Sequence, residues 1–89
     1  MIIIKRHGHN EEFDERKVYA SCYSACLASQ KVTVKEAETI SAKVCIDIKK
    51  WIKNKKNIDS HQLFDQVTNY LSKYNKDVAF VYLTHKDIY

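Results

Sequence analysis

Apolar residues recur every three or four positions in four segments of the chain, which is the pattern of amphipathic helices. The first segment predicts a helix from about Glu15 to Ser29, and a polar break at 75–77 separates the last two. The apolar stripes of the four segments are, in chain order, Val18, Cys22, Ala25 and Cys26; Ala37, Ile40, Val44, Ile48, Trp51 and Ile52; Leu63, Val67, Tyr70, Leu71 and Tyr74; and Val78, Val81, Tyr82, His85 and Ile88 or Tyr89. One Gly and no Pro in 89 residues also favour helices over a sheet-rich fold.

Residues with helix-capping chemistry stand at the predicted boundaries. Asp14 is placed to cap the first helix, because a short acidic side chain can accept from the backbone amides of the first turn. Thr33 and Glu36 have the spacing of a capping box for the second helix. Asp59 or Ser60 can cap the third.

The beginning of the chain follows a different pattern. Residues 2–5 start with a β-branched apolar run, 7–10 contain the only Gly in a turn-like cluster, and 11–13 form a second short extended segment. Together they predict a β-hairpin. Ile58 stands alone after a polar, basic connector and predicts a third strand of one or two residues.

The expected fold is therefore α+β and mainly α: a four-helix bundle capped by an N-terminal β-hairpin, with a short third strand. We expect one domain over residues 1–89, because a chain of this length builds one modest core. The β-elements should lie across one end or face of the bundle and bury Ile2, Ile4 and Phe13.

Composition supports a folded protein in the cytoplasm. Hydrophobic residues make up 45% of the chain and charged residues 29%, which is typical of globular proteins. No apolar run approaches the length of a membrane span, and the apolar start is too short for a secretory signal, so we expect a cytoplasmic protein without a membrane partner. The three cysteines fit reduced thiols that serve as small core residues.

The charged residues near the N-terminus predict an anion site. The net charge of +4 favours acidic partners only mildly. Lys5 and Arg6 stand next to Gly8, where the backbone can approach a ligand closely, and the start of the first helix should add the positive end of its dipole. Lys17 lies one turn into that helix and can supply a third cation. A solvated, charged hairpin without a ligand is the alternative interpretation.

The order of residues from Ile4 to Val18 resembles the opening of the ATP-cone domain. It reads apolar, Lys, Arg, any residue, Gly, two residues, Glu, any residue, Phe, Asp, two residues, Lys, apolar. The ATP-cone is the nucleotide-sensing module at the N-terminus of many ribonucleotide reductases and in the repressor of reductase operons. The resemblance implies a four-helix bundle capped by a small sheet, which agrees with the elements read from periodicity.

The resemblance also implies roles for individual residues. Lys5, Arg6 and Lys17 would hold phosphates, while Glu11 and Asp14 would face the adenine. Gly8 would form the turn, and Phe13 would pack under the hairpin. In the family, a hydroxyl three residues before the first apolar position of the third helix contacts the nucleotide, and counting back from Leu63 gives Ser60.

Three parts of the chain depart from the family pattern. His7 replaces the acidic residue that often precedes the Gly, which should leave the turn intact. Phe64 stands where reductase cones often carry a polar residue near the sugar, which would alter discrimination between ATP and dATP; His61 can substitute if the local register differs. The last helix of the family commonly ends in basic residues that complete the phosphate cluster. Here only His85 and Lys86 stand near the end.

The resemblance implies a regulatory, non-catalytic function. The expected effector is ATP or dATP, with Mg²⁺ arriving on the phosphates. The expected output is an allosteric change in oligomerisation or in contacts with a partner, either a ribonucleotide reductase subunit or a transcriptional regulator. No grouping of residues suggests a catalytic site.

Two alternative functions are compatible with other parts of the chain. A basic helical adaptor or nucleic-acid-associated domain would use Trp51 and the lysines around it, with a degenerate nucleotide pocket. Those lysines are Lys49, Lys50, Lys53, Lys55 and Lys56. A metal site would use His7, His9, Cys22 and Cys26, but their spacing lacks the turns of zinc ribbons, so we expect no bound metal ion.

Overall fold

The computed structural model describes residues 1–5 and 8–85 of the chain. Within these residues there are three short strands and four helices. They are β1 (Ile2–Ile4), β2 (Asn10–Glu12), α1 (Glu15–Ser29), α2 (Val34–Ile52), β3 (Asn57–Asp59), α3 (Ser60–Tyr74) and α4 (Lys76–Thr84). No helix in this described part is both long enough and apolar enough to cross a membrane.

The three strands form one small mixed sheet in the order β2-β1-β3. β1 pairs antiparallel with β2 and parallel with β3, so Ile3 lies opposite both Glu11 and Ile58. Ile3 is fully buried and Ile58 nearly so. These three residues therefore define the face of the sheet that is turned toward the helices, because directly paired residues point to the same side.

The prediction that Ile2 and Ile4 would be buried is wrong. Ile4 is 40% exposed, Ile2 is only partly buried, and Ile3 is the buried residue of the strand. Alternation along a strand sends Ile3 to one face and its two neighbours to the other. Phe13 is partly buried against the core, in agreement with its predicted packing.

The helices pack in a cycle in which α1 contacts α2 and α4, and α3 contacts the same two helices. This arrangement is consistent with the predicted bundle. Most of the described residues of the predicted stripes are buried, but the prediction is wrong for His85, which is exposed and follows the end of α4. Ile88 and Tyr89 lie outside the described residues. The core consists of Ile3, Val18, Cys22, Ala25, Cys26, Ala37, Val44, Cys45, Ile48, Ile52, Ile58, Leu63, Val67, Leu71, Val78, Ala79 and Tyr82. Ile40, Trp51, Tyr70, Tyr74 and Val81 pack partly buried around it.

The helix boundaries follow the capping residues. α1 begins and ends where the sequence predicts, with Asp14 as its N-cap. Thr33 and Glu36 form the predicted capping box of α2. Asp59, rather than Ser60, is the N-cap of α3. Asn75 caps α4 by accepting from two backbone amides, and α4 therefore starts directly after α3.

All three cysteines are buried free thiols. Burial raises the pKa of the Cys22 thiol and raises that of Cys45 to about 11. A thiol is reactive and binds metals as the thiolate, so these raised pKa values describe inert core residues. Their predicted role as small hydrophobes is confirmed.

Candidate nucleotide-binding site

Two of the predicted phosphate ligands meet on one carboxylate. The ammonium nitrogen Nζ of Lys5 lies 3.4 Å from Oε2 of Glu11, and Nζ of Lys17 lies 3.1 Å from Oε1 of the same side chain. Lys5 directly follows β1, Glu11 belongs to β2, and Lys17 belongs to α1. We call Lys5, Glu11 and Lys17 the bridged cluster. It is open to solvent: the side chains are 31%, 28% and 51% exposed, respectively.

The sheet register explains why these side chains converge. Glu11 lies opposite Ile3, so its side chain is on the face turned toward the helices. Lys5 follows Ile3 by two residues, and alternation directs it to the same side. Lys17 lies in the first turn and a half of α1. The buried Ile3, which is paired with Glu11 and precedes Lys5 by two residues, therefore marks the face of the sheet on which both side chains lie.

Glu11 is held in its charged form by its neighbours. Its pKa is lowered, mainly by the hydrogen bond from Lys17 and further by the charges of Lys5 and Lys17, which together outweigh the opposing effect of burial. One carboxylate between two ammonium groups leaves the bridged cluster with a net positive charge near neutral pH. It can therefore attract a further anion.

A tight turn connects β1 to β2 beside the cluster. The amide of Gly8 donates to the carbonyl of Lys5 at 3.1 Å, and the amide of Lys5 donates to the carbonyl of His9 at 2.7 Å. Gly8 has φ of 81°, a conformation in which other residues are strained. A Cβ there would meet no atom within 4 Å, so the backbone conformation, not crowding, requires glycine. Arg6, the third predicted cation, lies outside the described residues.

The first turn of α3 lies at the same end of the sheet as Lys5. The parallel pairing of β1 with β3 sets Ile4 beside Asp59, and α3 starts at the next residue, Ser60. Ser60 is half-buried, whereas His61 is exposed. His61 lies 3.5 Å from Asp65, one turn further along α3. The predicted contact residues of the third helix are thus near the β1–β2 turn through strand pairing.

The start of α1 lies elsewhere, which differs from the sequence expectation. Phe13 donates its amide to the carbonyl of Met1, so α1 begins beside the N-terminal end of β1. The three residues of β2, about 10 Å long, separate this point from the Gly8 turn. The helix whose positive end lies nearest Lys5 is therefore α3, and Lys17 reaches the cluster through its long side chain.

Asp14 is engaged by its own helix. Its carboxylate accepts from the amide of Arg16 at 2.9 Å and receives two further hydrogen bonds from the Arg16 guanidinium. These bonds lower the pKa of Asp14, with the guanidinium contributing most. Arg16 is not a position of the N-terminal motif; an acidic residue two positions before an arginine at the start of a helix is the sequence signal for this pair.

Among the positions that depart from the family pattern, Phe64 and His85 are described by the structure, whereas His7 lies outside the described residues. Phe64 is half-buried and stacks on the ring of Tyr82, with centroids 5.1 Å apart. This stacking joins α3 to α4. It also puts an apolar ring at the position where the resemblance to reductase cones implies a polar side chain. Lys86 lies outside the described residues, and His85 is exposed.

A separate groove of ≈ 440 Å³ lies between the first turns of α2 and the junction of α3 with α4, where Tyr74 and Asn75 line it. It contains none of the predicted nucleotide ligands that the structure describes. Strand β3 of the sheet follows the C-terminal end of α2. Because α2 has 19 residues, this end is about 28 Å along the helix from its first residue, where the groove begins. The groove and the bridged cluster are therefore different places on the molecule.

The remaining candidate chemistry is dispersed. In residues 1–5 and 8–85, no three His, Cys, Asp or Glu side chains are grouped so that they could hold a metal ion. The lysines at the end of α2 are exposed. Lys49 pairs with Glu15 at 3.1 Å, and Lys55 lies over the half-buried Trp51 ring, 5.1 Å from its centroid.

Comparison with known proteins agrees with the N-terminal motif. The family model of the ATP cone domain matches residues 1–89. The chain belongs to the ATP-cone family. ATP-cones are nucleotide-binding regulatory modules and are not catalytic, so the general function of this chain is regulatory nucleotide binding. A search of curated proteins found no match.

Proposed function

We propose that this ATP-cone binds ATP or dATP with Mg²⁺ at the bridged cluster and the neighbouring first turn of α3. The observation that carries the proposal is the convergence of Lys5 and Lys17 on one carboxylate. These residues belong to different elements of the chain, and both are basic positions of the N-terminal motif. Two ammonium groups held close together suit the phosphates of a nucleotide, which accept charge-assisted hydrogen bonds.

Further phosphate contacts are proposed from the family pattern. Ser60 would donate its hydroxyl to a phosphate, with His61 beside it, since both stand in the first turn of a 15-residue helix. The positive end of that helix favours an anion there. Gly8 would let the turn approach the phosphates, and Arg6 and Lys86 would complete the set of cations.

The adenine would be recognised by Glu11 and Asp14, whose oxygens can accept from an exocyclic amine. Their surroundings differ. The carboxylate of Asp14 already caps α1 and binds Arg16, whereas that of Glu11 contacts two partly exposed lysine side chains. Glu11 is therefore the more available acceptor, and it carries more of the proposed selectivity for adenine.

The regulatory output would be a change in oligomerisation or in contacts with a partner. The partner would be a ribonucleotide reductase subunit or a transcriptional regulator. ATP and dATP can give different outputs only if they stabilise different conformations or assemblies. Phe64, the apolar residue near the proposed sugar position, would influence how strongly the two nucleotides are distinguished.

A lysine substitution tests the proposed site. Lys5→Ala removes a charge-assisted contact worth about 1.5–3 kcal/mol, so nucleotide affinity should fall roughly 10- to 150-fold while the fold is retained. The matched control is Lys31→Ala, which removes the same charge from an exposed position beyond the far end of α1. The assay is isothermal titration of both variants with ATP and Mg²⁺. Unchanged affinity in Lys5→Ala contradicts the proposed phosphate site.

The same titration distinguishes nucleotide sensing from the alternative function, a basic adaptor with a degenerate nucleotide pocket. If the basic surface at the end of α2 binds phosphates through charge alone, Lys53→Ala with Lys56→Ala should weaken binding more than Lys5→Ala does. Binding would then fall steeply with salt and would not prefer adenine.

A further inference from the structure

Glu11 occupies the place where the proposed phosphates would bind. Its two carboxylate oxygens contact the Nζ atoms of Lys5 and Lys17, one oxygen to each. A phosphate that contacted both lysines would need the same space and the same hydrogen-bond donors. The carboxylate and the phosphate therefore compete for one pair of cations.

We propose that Glu11 determines the ligand specificity of this site as an internal competitor: its carboxylate fills the cation pair and excludes anions that cannot displace it. This inference rests on the proposed function. A polyphosphate carries several negative charges and can replace one carboxylate, whereas a singly or doubly charged anion gains little from the exchange. The site is thereby closed to the abundant small anions around it.

The surroundings of Glu11 allow this exchange. Its side chain is partly open to solvent, and both ion pairs are partly exposed, so each contributes only modestly to the fold. The buried neighbour that positions it, Ile3, belongs to the sheet core and need not move. Displacement changes rotamers of one side chain and leaves the hairpin in place.

Once displaced from the lysines, the carboxylate of Glu11 can accept a hydrogen bond from the ligand. A ligand with an adenine offers an amine that Glu11 can accept from, whereas a bare polyphosphate offers nothing in return. ATP therefore recovers part of the cost of displacing Glu11, and inorganic tripolyphosphate does not. Glu11 should raise the preference for ATP over tripolyphosphate, because both ligands bear the cost of displacing it and only ATP recovers part of that cost.

The matched variants are Glu11→Gln and Glu12→Gln. Both remove one negative charge from adjacent residues of β2. Glu12 lies opposite Ile2, its side chain is 75% exposed, and its carboxylate pairs with the terminal amine of Met1 at 3.3 Å. It therefore lies on the other face of the sheet. If both variants change the ligand affinity equally, the change is due to net charge. If only Glu11→Gln changes the affinity, the change is due to competition for Lys5 and Lys17.

The experiment is calorimetric titration of the nucleotide-stripped full chain and both variants with inorganic tripolyphosphate and with ATP, at fixed Mg²⁺ and ionic strength. We expect Glu11→Gln to bind tripolyphosphate about 2- to 30-fold more tightly than the unsubstituted protein, the range set by two partly exposed ion pairs. The affinity for ATP should increase less than that for tripolyphosphate, so the variant should prefer ATP over tripolyphosphate less strongly than the unsubstituted protein does. Glu12→Gln should change neither affinity by as much as twofold.

The outcomes separate the inference from the proposed function. If the unsubstituted protein binds ATP but Glu11→Gln binds tripolyphosphate no more tightly, the inference is overturned and the site stands. If neither ligand binds the unsubstituted protein or Glu11→Gln, both are overturned. Circular dichroism of each variant verifies that the fold is retained, and Glu11→Ala provides a second removal of the carboxylate.

Discussion

Replacing Ile3 by Ala should be among the most destabilising substitutions in the sheet. Ile3 is fully buried and lies between Glu11 and Ile58. The substitution removes three carbons, at about 0.8 kcal/mol each, and leaves a cavity under a three-stranded sheet that can collapse only partly. We expect a total loss of about 2.5–5 kcal/mol in the free energy of unfolding. A domain of this size has about 5–15 kcal/mol in all, so the loss is a large fraction of the total stability and should lower the urea midpoint clearly.

Ile4→Ala is the matched control, because it changes the same residue type in the same strand and loses the same strand propensity. Ile4 is 40% exposed on the outer face, so its loss should be about 0.5–1.5 kcal/mol without a cavity contribution. The assay is urea unfolding followed by circular dichroism, with free energies from linear extrapolation. Equal losses, or a larger loss for Ile4→Ala, would refute the register and support burial of Ile2 and Ile4 instead.

Two further predictions concern pH and helix capping. The folded-state pKa of Glu11 lies below its ordinary value of 4.5, so its stabilising contribution is complete above that pH and is lost as the pH falls through the folded pKa. The free energy of unfolding in urea should therefore decrease below about pH 4.5, and about 0.2–1 kcal/mol of that decrease should be absent in Glu11→Gln. An identical dependence of the free energy on pH in the variant would contradict the ion pairs. Thr33→Ala removes the capping box of α2 and should cost about 1 kcal/mol, measured by thermal unfolding. Thr39→Ala, in the exposed interior of the same helix, should cost close to nothing, and equal effects at both positions would argue against the cap.

Most of the helical structure could be predicted because its signals are local. The bounds of α1 agree with Asp14 as a cap and with the last apolar residues of the stripe. The capping box at Thr33 depends on two residues three positions apart and was likewise visible in the sequence. The isolated Ile58 indicated β3, because it is an apolar residue in a polar stretch.

The face of β1 could not be predicted, because three consecutive isoleucines carry no alternation. Which of them is buried depends on pairing with β2 and β3, and β3 lies more than fifty residues away in the chain. The same long-range pairing brings Ser60 to the end of the sheet where Lys5 follows β1. The antiparallel pairing of β1 with β2 puts the start of α1 at the opposite end of the sheet, which differs from the sequence expectation.

The sequence predicted which residues belong to the candidate site, but it did not predict which of their side chains contact one another. Lys5, Glu11 and Lys17 were all candidates, with the lysines assigned to phosphate and the glutamate to adenine. Only the structure brings both lysines to one carboxylate. Side-chain reach between a strand and a helix depends on their relative position, which local patterns do not contain.

The most direct test of nucleotide sensing is calorimetric titration of the nucleotide-stripped protein with ATP, dATP, ADP and GTP in the presence of Mg²⁺, with its mass in solution recorded in each state. The account predicts saturable binding of ATP or dATP, clearly tighter than that of GTP, together with a change in mass. Absence of binding, or equal binding of GTP and ATP that weakens steeply with salt, would contradict it.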